Sequence, residues 1–371
     1  MRVTLGGLLG RERFLAIAAG TAAAFLTLAP ELAALEATAA GMALICLWLF
    51  LTVLGCCLAV VRHAEHLALR FGEPYGTLIL TLAVTAIEVM SISSLALQGG
   101  HDPALARDTV YAVIMILLNF MVGLSLLLGG WRHLEQRFNL QGANTYLGVI
   151  IPLTVLSLIL PNFTMTTPGP TLSGPQEGFV VIVSIGLYAA FLAVQTVRHR
   201  PFFTDRADDA ADAPELPHGA ALHPAAHVML LTAYMAPLVF LAEELAHPLN
   251  GFLGAVRAPA ALAGVAIALL VATPEAVSAV RAAAANRLQR AMNIFLGSVL
   301  STIGLTIPAM IAVSAWTGQR IVLGLQNAQA LMLVLTLAVS MVTFSSGRTH
   351  VLQGAVHLVL FGAYILLIFQ G

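Results

Sequence analysis

Charged residues are scarce in this sequence, and lysine is absent from it. Only 9% of the 371 residues are charged, whereas soluble proteins carry about 25%. The net charge of −1 and the thinly spread arginines leave no basic surface for a nucleic acid. Because 59% of the residues are hydrophobic, the chain needs lipid around it, and we expect an integral membrane protein.

Cysteine is also rare. Cys46, Cys56 and Cys57 fall in one apolar run. Neighbouring cysteines on a helix do not bridge easily, and Cys46 would lie about 15 Å from Cys56 along the helix axis. We interpret all three as small buried residues, which excludes a disulfide framework and a cysteine metal site. The sequence predicts no cofactor and no structural metal.

Apolar runs, by contrast, fill most of the chain. Windows of about twenty residues, long enough to cross the hydrocarbon core, occur eleven times. The first follows Arg11 and Arg13 as a signal peptide would, but its length favours a retained helix. The predicted fold class is an all-α polytopic membrane protein with about eleven transmembrane helices. The windows are roughly 14–34, 39–61, 75–98, 108–130, 144–162, 177–197, 226–246, 258–280, 290–315, 325–344 and 350–370.

The distribution of arginine predicts the orientation of these helices. If the N-terminus is cytoplasmic and the helices alternate, only Arg107, Arg257 and Arg320 of the 17 arginines lie outside. Cytoplasmic loops carry the excess of positive residues, so this asymmetry supports the orientation and the odd number of helices. We expect a cytoplasmic N-terminus and an external C-terminus.

The helices divide into two similar sets. A polar linker at 198–225, predicted to be cytoplasmic, separates 39–197 from 226–371, and residues 1–38 hold an extra N-terminal helix. A related motif precedes the second helix of each set, AEHLA before the first and AEELA before the other. Five helices per set would invert the second set relative to the first, as in many secondary transporters. The repeat centres would lie around 75–130 and 258–315.

One glutamate lies deep within the second helix of each set. Glu88 and Glu275 are past the midpoints of runs long enough to cross a bilayer. A carboxylate near the bilayer centre costs about 2.5–3.5 kcal/mol, so such residues are usually functional. The alternative is a structural ion pair, but no arginine lies near the centre of any predicted span. We therefore predict that Glu88 and Glu275 bind a cation or protons.

Polar residues near the two glutamates could complete this site. Hydroxyl, amide and backbone oxygens suit a hard cation, and Pro274 should bend its helix and free carbonyl groups. Glu65, Glu243 and Glu244 lie nearer helix ends and are candidates for a gate or a proton relay. The predicted lining residues, for which packing is the alternative role, are Thr85, Asn119, Thr273, Ser298 and Thr302.

The sequence resembles the calcium/cation antiporter superfamily, in its bacterial calcium/proton exchanger branch of the ChaA type. The two alpha-repeats of that family resemble GEPYGTLILTLAVTAIEV and PEAVSAVRAAAANRLQRAMNIFLGSVLSTIGLTIPAM. The resemblance implies eleven helices, a location in the bacterial inner membrane, exchange of a cytoplasmic cation for external protons, and a cation held between Glu88 and Glu275. Related exchangers carry a Gly-Asn pair ahead of the glutamate, whereas this chain reads VTAIE and VATPE.

These features favour a secondary active cation/proton antiporter, with calcium as the cation. One calcium ion or two protons would neutralise two ionised carboxylates, and carbonyls, hydroxyls and water would complete its roughly 6–8 oxygen ligands. Sodium/proton or potassium/proton exchange and a cation channel are the alternatives. The sequence lacks a His-Glu-x-x-His pair, a nucleophile elbow and a cofactor loop, which argues against an enzyme. The expected partners are the lipid bilayer and the transported ions, and the oligomeric state stays open.

Overall fold

The structure, a computed structural model, describes residues 12–71, 75–98, 104–204, 222–259, 261–318 and 321–370. These residues are almost entirely helical. In chain order the α-helices are α1 (Arg13–Thr27), α2 (Ala29–Glu36), α3 (Ala39–Phe71), α4 (Tyr75–Gln98), α5 (Leu105–Met115), α6 (Val122–His133), α7 (Leu140–Thr154), α8 (Gly174–Ala193), α9 (Pro224–Ala255), α10 (Ala261–Ala284), α11 (Leu288–Ser301), α12 (Ile307–Thr317), α13 (Asn327–Thr343) and α14 (Val351–Gln370).

Shorter elements extend or join these helices. A π-helix joins α5 to α6 and another joins α11 to α12, so each of these pairs forms one long helical segment. The two short strands pair antiparallel. In chain order the shorter elements are the π-helix Ile116–Met121, β1 (Glu135–Arg137), the π-helix Val155–Ile159, the 3-10 helix Leu160–Phe163, the π-helix Val194–Arg198, the 3-10 helix Arg200–Phe202, the π-helix Thr302–Thr306 and β2 (Arg348–His350).

Each of the eleven predicted apolar windows is mostly helical over its described residues. Among the described residues, 7 helical segments are long and apolar enough to cross a membrane, or up to 9 if each of two bent pairs is one span. The apolar helix α13 is shorter, at 17 residues. The chain is thus an all-α polytopic membrane protein, while the count of eleven spans stays a prediction.

The first predicted span is not one straight helix. Where a single helix over 14–34 was expected, α1 and α2 meet at Leu28 with a bend of 87°. Pro30 lies in the first turn of α2, where its missing N–H is tolerated, but it cannot continue the hydrogen-bond ladder of α1. The proline therefore starts a new helix, and α1 packs along α3 and α9.

The most extensive helix pair joins α3 to α9, the first helices of the two predicted sets. The two helices run antiparallel. Near the start of α3, Met42 lies against Gly251 near the end of α9, where a Cβ would collide with its sulfur. Near the end of α3, His63 contacts His227 near the start of α9. The antiparallel pair is the scaffold beside which the second helices, α4 and α10, are placed.

The helices that carry the two central glutamates pack together. α4, α10 and α11 contact one another, and α3 contacts both α4 and α10. α10 bends by 55° between Ala261–Thr273 and Glu275–Ala284, at the position of Pro274. This bend agrees with the prediction from the proline, which removes one backbone donor from the helix interior.

Candidate cation site

Glu88 of α4 and Glu275 of α10 are buried in the interior of the helix bundle. The two residues are 3% and 1% exposed. The helices that carry them, α4 and α10, pack against each other. Because the bend of α10 falls at Pro274, it directly precedes Glu275 and sets the direction of the helix segment that carries this carboxyl group.

One turn at the end of α11 contacts both carboxyl groups. The Thr302 hydroxyl donates to Glu88 Oε2 at 2.8 Å, and the Ser298 hydroxyl donates to Glu275 Oε2. Ser298 and Thr302 are four residues apart, so they project from the same face of the helix. The helix α11 therefore joins two acids that come from opposite halves of the chain.

Further hydroxyl groups surround this turn. The Thr85 hydroxyl lies 2.7 Å from Ser301 Oγ and 2.8 Å from the carbonyl oxygen of Thr81. Ser301 in turn donates to the carbonyl oxygen of Ser298 at 2.9 Å. The sequence explains this local arrangement, because Thr81, Thr85 and Glu88 recur at helical spacing and form one polar stripe on α4.

Each glutamate keeps one oxygen unpaired. Glu88 Oε1 and Glu275 Oε1 are fully buried and have no hydrogen-bond partner among the described residues, and the same holds for Thr81 Oγ1. An unpaired buried polar group costs about 1–3 kcal/mol, and most such groups in folded proteins are paired. These three oxygens therefore point to a site that is completed by a bound ion, a proton or water.

A small cavity lies beside Thr81. Its volume is about 10 Å³, and Tyr146, Asn293 and Gly297 are among its lining residues. This volume accommodates about one water molecule. Since Thr81 lies two turns before Glu88 on α4, the cavity lies beside the polar stripe that leads to this acid.

The donor set around the two acids consists of hard oxygens. Carboxylates and hydroxyls are ligands that calcium accepts, and its affinity in proteins depends on the number of charged ligands. Nowhere in the described ranges do three or more His, Cys, Asp or Glu side chains form a group that could hold a metal. A site with two acidic ligands suits reversible binding better than permanent retention of a metal.

Two of the five predicted lining residues have partners elsewhere. Asn119, in the π-helix after α5, donates from Nδ2 to Thr336 Oγ1 of α13 at 2.9 Å. The Thr273 hydroxyl donates to the Leu269 carbonyl of its own helix at 2.6 Å, and Thr273 is only half-buried. The structure therefore brings Thr85, Ser298 and Thr302 together with the acids, whereas Thr273 satisfies its hydroxyl within α10.

The candidate relay residues occupy different environments. Glu65 of α3 accepts a hydrogen bond from Ser278 at 2.8 Å. Ser278 follows Glu275 by three residues on α10, so this contact links α3 to the helix that carries the buried acid. Glu243 and Glu244 are half-buried on α9.

Sequence reasoning missed two hydroxyl residues with clear partners. Ser278 could have been found, because its spacing from Glu275 places both on one face of α10. Thr336 belongs to a stripe with Ser340 and Thr343 on α13, all three at most 2% exposed. A stripe of small polar residues on an apolar helix is a usable signal, since it must face protein or water.

The fold and the site together define a polytopic helical membrane protein in which two buried acids meet at one helix turn. The chain belongs to the family described as sodium/calcium exchanger protein, which matches residues 40–197 and 226–370. The gap between the two matched segments coincides with the linker at 198–225.

Individual relatives cover most of the chain. The protein y4hA of Sinorhizobium fredii is 44% identical over 84% of this chain and 85% of its own length. The sodium-potassium/proton antiporter ChaA of Escherichia coli is 39% identical over 85% of this chain and 86% of its own length. The solved structure of native YfkE has a TM-score of 0.72 at 18% identity and covers 96% of this chain and 100% of that one. A second structure of YfkE describes it as a Ca²⁺/H⁺ antiporter.

Proposed function

We propose that this protein is a secondary active antiporter that exchanges a cytoplasmic cation, calcium, for protons. The observation that carries the proposal is the contact of Glu88 and Glu275 with one turn of α11. Membership of the exchanger family supports it, as do relatives described as a sodium-potassium/proton antiporter and a Ca²⁺/H⁺ antiporter. Exchange at such a site needs no covalent step, so the protein is a transporter and not an enzyme.

The coupling follows from charge at the two acids. In the ionised state they carry two negative charges, which either one calcium ion or two protons would cancel. An uncompensated carboxylate in the membrane interior costs about 2.5–3.5 kcal/mol. The loaded forms therefore cross the occluded state between the two sides of the membrane, and the empty ionised form does not. A cation moving one way is thus exchanged for protons moving the other way.

The hydroxyl groups on α4 and α11 have a defined part in this proposal. Ser298 and Thr302 stabilise the ionised acids and place oxygen atoms within reach of the cation, and Thr85 acts through its contact with Ser301. We assign no ligand role to Thr273, because its hydroxyl is used within its own helix. Asn119 retains a buried Oδ1 with no partner in the described part of the chain. We propose that this oxygen contacts the cation at another position along its route.

Glu65 is the residue we propose as proton relay. Its hydrogen bond from Ser278 lies one turn from Glu275, which gives a short route between α3 and the buried acid. For Glu243 and Glu244 the proposed gating role rests on their positions in the sequence.

We also propose two inverted five-helix repeats in the inner membrane, with the N-terminus cytoplasmic and the C-terminus external. Contacts between loops support this arrangement, because they join segments predicted to lie on the same side. Arg107 donates to the carbonyl oxygen of Gly324 at 2.7 Å, on the predicted external side. On the predicted cytoplasmic side, Gln136 donates to the Ala283 carbonyl at 2.7 Å and β1 pairs with β2.

The proposal is tested by transport in sealed proteoliposomes that contain the purified protein. Calcium, sodium and potassium are supplied separately, with the membrane potential clamped and only a pH difference imposed. We expect calcium to accumulate against its own gradient. Accumulation of sodium or potassium alone would support the monovalent exchange suggested by the Escherichia coli relative. Flux that runs only downhill would refute the antiporter and indicate a channel.

A further inference from the structure

A second group of titratable side chains lies apart from the cation site, between the N-terminal segment, α3 and α9. We call it the histidine cluster, and its centre is a contact between His63 of α3 and His227 of α9, whose Nδ1 atoms are 3.0 Å apart. Glu12 Oε2 lies 3.4 Å from His63 Nε2. Tyr234 donates to the same Glu12 oxygen at 2.9 Å. His66 stacks on His227 with ring centroids 4.9 Å apart.

Most side chains of the histidine cluster are buried and paired with one another. His63 is 2% exposed, Glu12 6% and Tyr234 0%. Arg62 pairs with Glu12 at 2.5 Å, so the negative charge of Glu12 is already balanced. Among the described groups, Glu12, Arg62 and His66 act electrostatically on the histidine pair. Three chain segments therefore meet around a pair of imidazole rings that the cation site does not use.

The chemistry of the pair makes it sensitive to protons. Protons are counted here as those added to the neutral pair, in which one Nδ1 donates and the other accepts. One added proton leaves this hydrogen bond in place, because an imidazolium ring can still donate to a neutral one. A second added proton turns both Nδ1 atoms into donors, which removes the hydrogen bond and places two positively charged rings in contact at 3.0 Å. Glu12 cannot neutralise both charges while it remains paired with Arg62. The contact between α3 and α9 is thus compatible with at most one proton on the pair.

The cluster is mechanically connected to the cation site. His63 and His66 flank Glu65 on α3, and Glu65 is hydrogen-bonded to Ser278 of α10, one turn from Glu275. A change in how α3 packs on α9 near His227 therefore reaches the helix that carries a site acid. The cluster also lies a few residues after the linker at 198–225, on the side of the membrane where that linker is predicted.

We propose that the His63–His227 pair is a regulatory proton-binding site that switches exchange off when the linker side becomes acidic. With one proton or none, the pair holds α3 against α9 and exchange proceeds. With a second proton the pair separates, α3 shifts relative to α9 and α10, and exchange slows. The effect on transport rests on the proposed function, whereas the separation of the pair does not.

The separation is tested directly by hydrogen–deuterium exchange of the purified protein at pH 7.5 and pH 5.0, corrected for the intrinsic rate. We expect faster exchange at pH 5.0 in peptides that cover 60–66 and 224–234. The variant His227→Asn keeps a hydrogen-bonding atom near the position of Nδ1 but cannot be protonated, so its exchange should not change with pH. His247→Asn on the same helix is the matched control, because His247 has an 83% exposed side chain, and it should behave like the wild type.

The regulatory effect is tested by flux in proteoliposomes with a constant pH difference while the absolute pH on the linker side is lowered. Because the second proton must bind to a pair that already carries one positive charge, we expect flux to fall by about twofold or more as the linker side is lowered from pH 6.5 to pH 5.0. His227→Asn and His63→Asn should abolish that fall, and His247→Asn should retain it. Equal pH responses in wild type and His227→Asn, in either measurement, overturn the proposal. Absence of flux with every cation would refute the proposed function instead. Deuterium exchange would still test whether the His63–His227 pair separates at low pH.

Discussion

Replacement of Thr302 by valine tests the geometry of the cation site most sharply. Valine has nearly the shape of threonine but lacks the hydroxyl that donates to Glu88 Oε2 at 2.8 Å. A hydrogen bond to a charged group contributes about 1.5–3 kcal/mol. Because a factor of ten corresponds to about 1.4 kcal/mol, the apparent cation affinity of Thr302→Val should fall between about tenfold and about 150-fold.

The matched control is Thr273→Val on the neighbouring helix. Thr273 lies two residues from Glu275 in sequence, but its hydroxyl donates to the Leu269 carbonyl of α10. We expect the affinity of Thr273→Val to stay within about twofold of the wild type, since a surface-type change of this kind costs about 0.5 kcal/mol or less.

The assay is proton release from proteoliposomes, recorded with a pH-sensitive dye as the cation concentration is raised at fixed pH. Circular dichroism and a monodisperse peak in size-exclusion chromatography in detergent would establish that both variants are folded. If Thr273→Val weakens binding as strongly as Thr302→Val, or if Thr302→Val binds normally, then the site is not arranged around α11 as described.

Three further predictions concern charge, topology and pH. Glu88→Gln and Glu275→Gln should each abolish cation-dependent proton release in protein that is folded and inserted, and near-normal exchange by either would exclude a two-carboxylate site. A cysteine at Thr166 should react with an impermeant thiol reagent from outside and one at Ser346 only from the cytoplasmic side, and the reverse labelling would overturn the orientation. Apparent cation affinity should weaken as pH falls, because protons must leave the carboxylates before the cation binds; affinity that is constant between pH 8 and pH 6 would contradict competition.

The positions of the helices and the burial of the two acids were predictable, because unpaired backbone groups and incidental carboxylates are both costly inside a membrane. An apolar run of about twenty residues in a membrane chain has few alternatives to a helix, and a carboxylate at its centre is too costly to be incidental. The bend of α10 followed equally from Pro274. These predictions used only the hydrophobicity of single segments and the positions of glutamate and proline within them.

The rotation of each helix about its axis was not predictable in the same way. Thr273 and Thr302 both lie near a site acid in the bundle of helices, yet only Thr302 donates to one. Thr273 is two residues from Glu275 and therefore lies on a different face of α10, as the helical spacing predicts. Which residues of α11 meet the acids depends instead on how α11 packs against α4 and α10. The break at Leu28 was missed for a related reason, since a window of hydrophobicity does not register that Pro30 begins a helix.

The arrangement of both acids around one helical turn has a consequence for leakage. A carrier that crosses the membrane half-loaded lets one ion pass without its counterpart, and such slippage dissipates the proton gradient of the host. Ser298 is near the end of α11 and Thr302 begins the π-helix that follows it, so a movement of this segment changes the hydrogen bonds to both acids together. In the exchanger that we propose, this coupling makes the two acids load and unload together, which limits loss of the proton gradient.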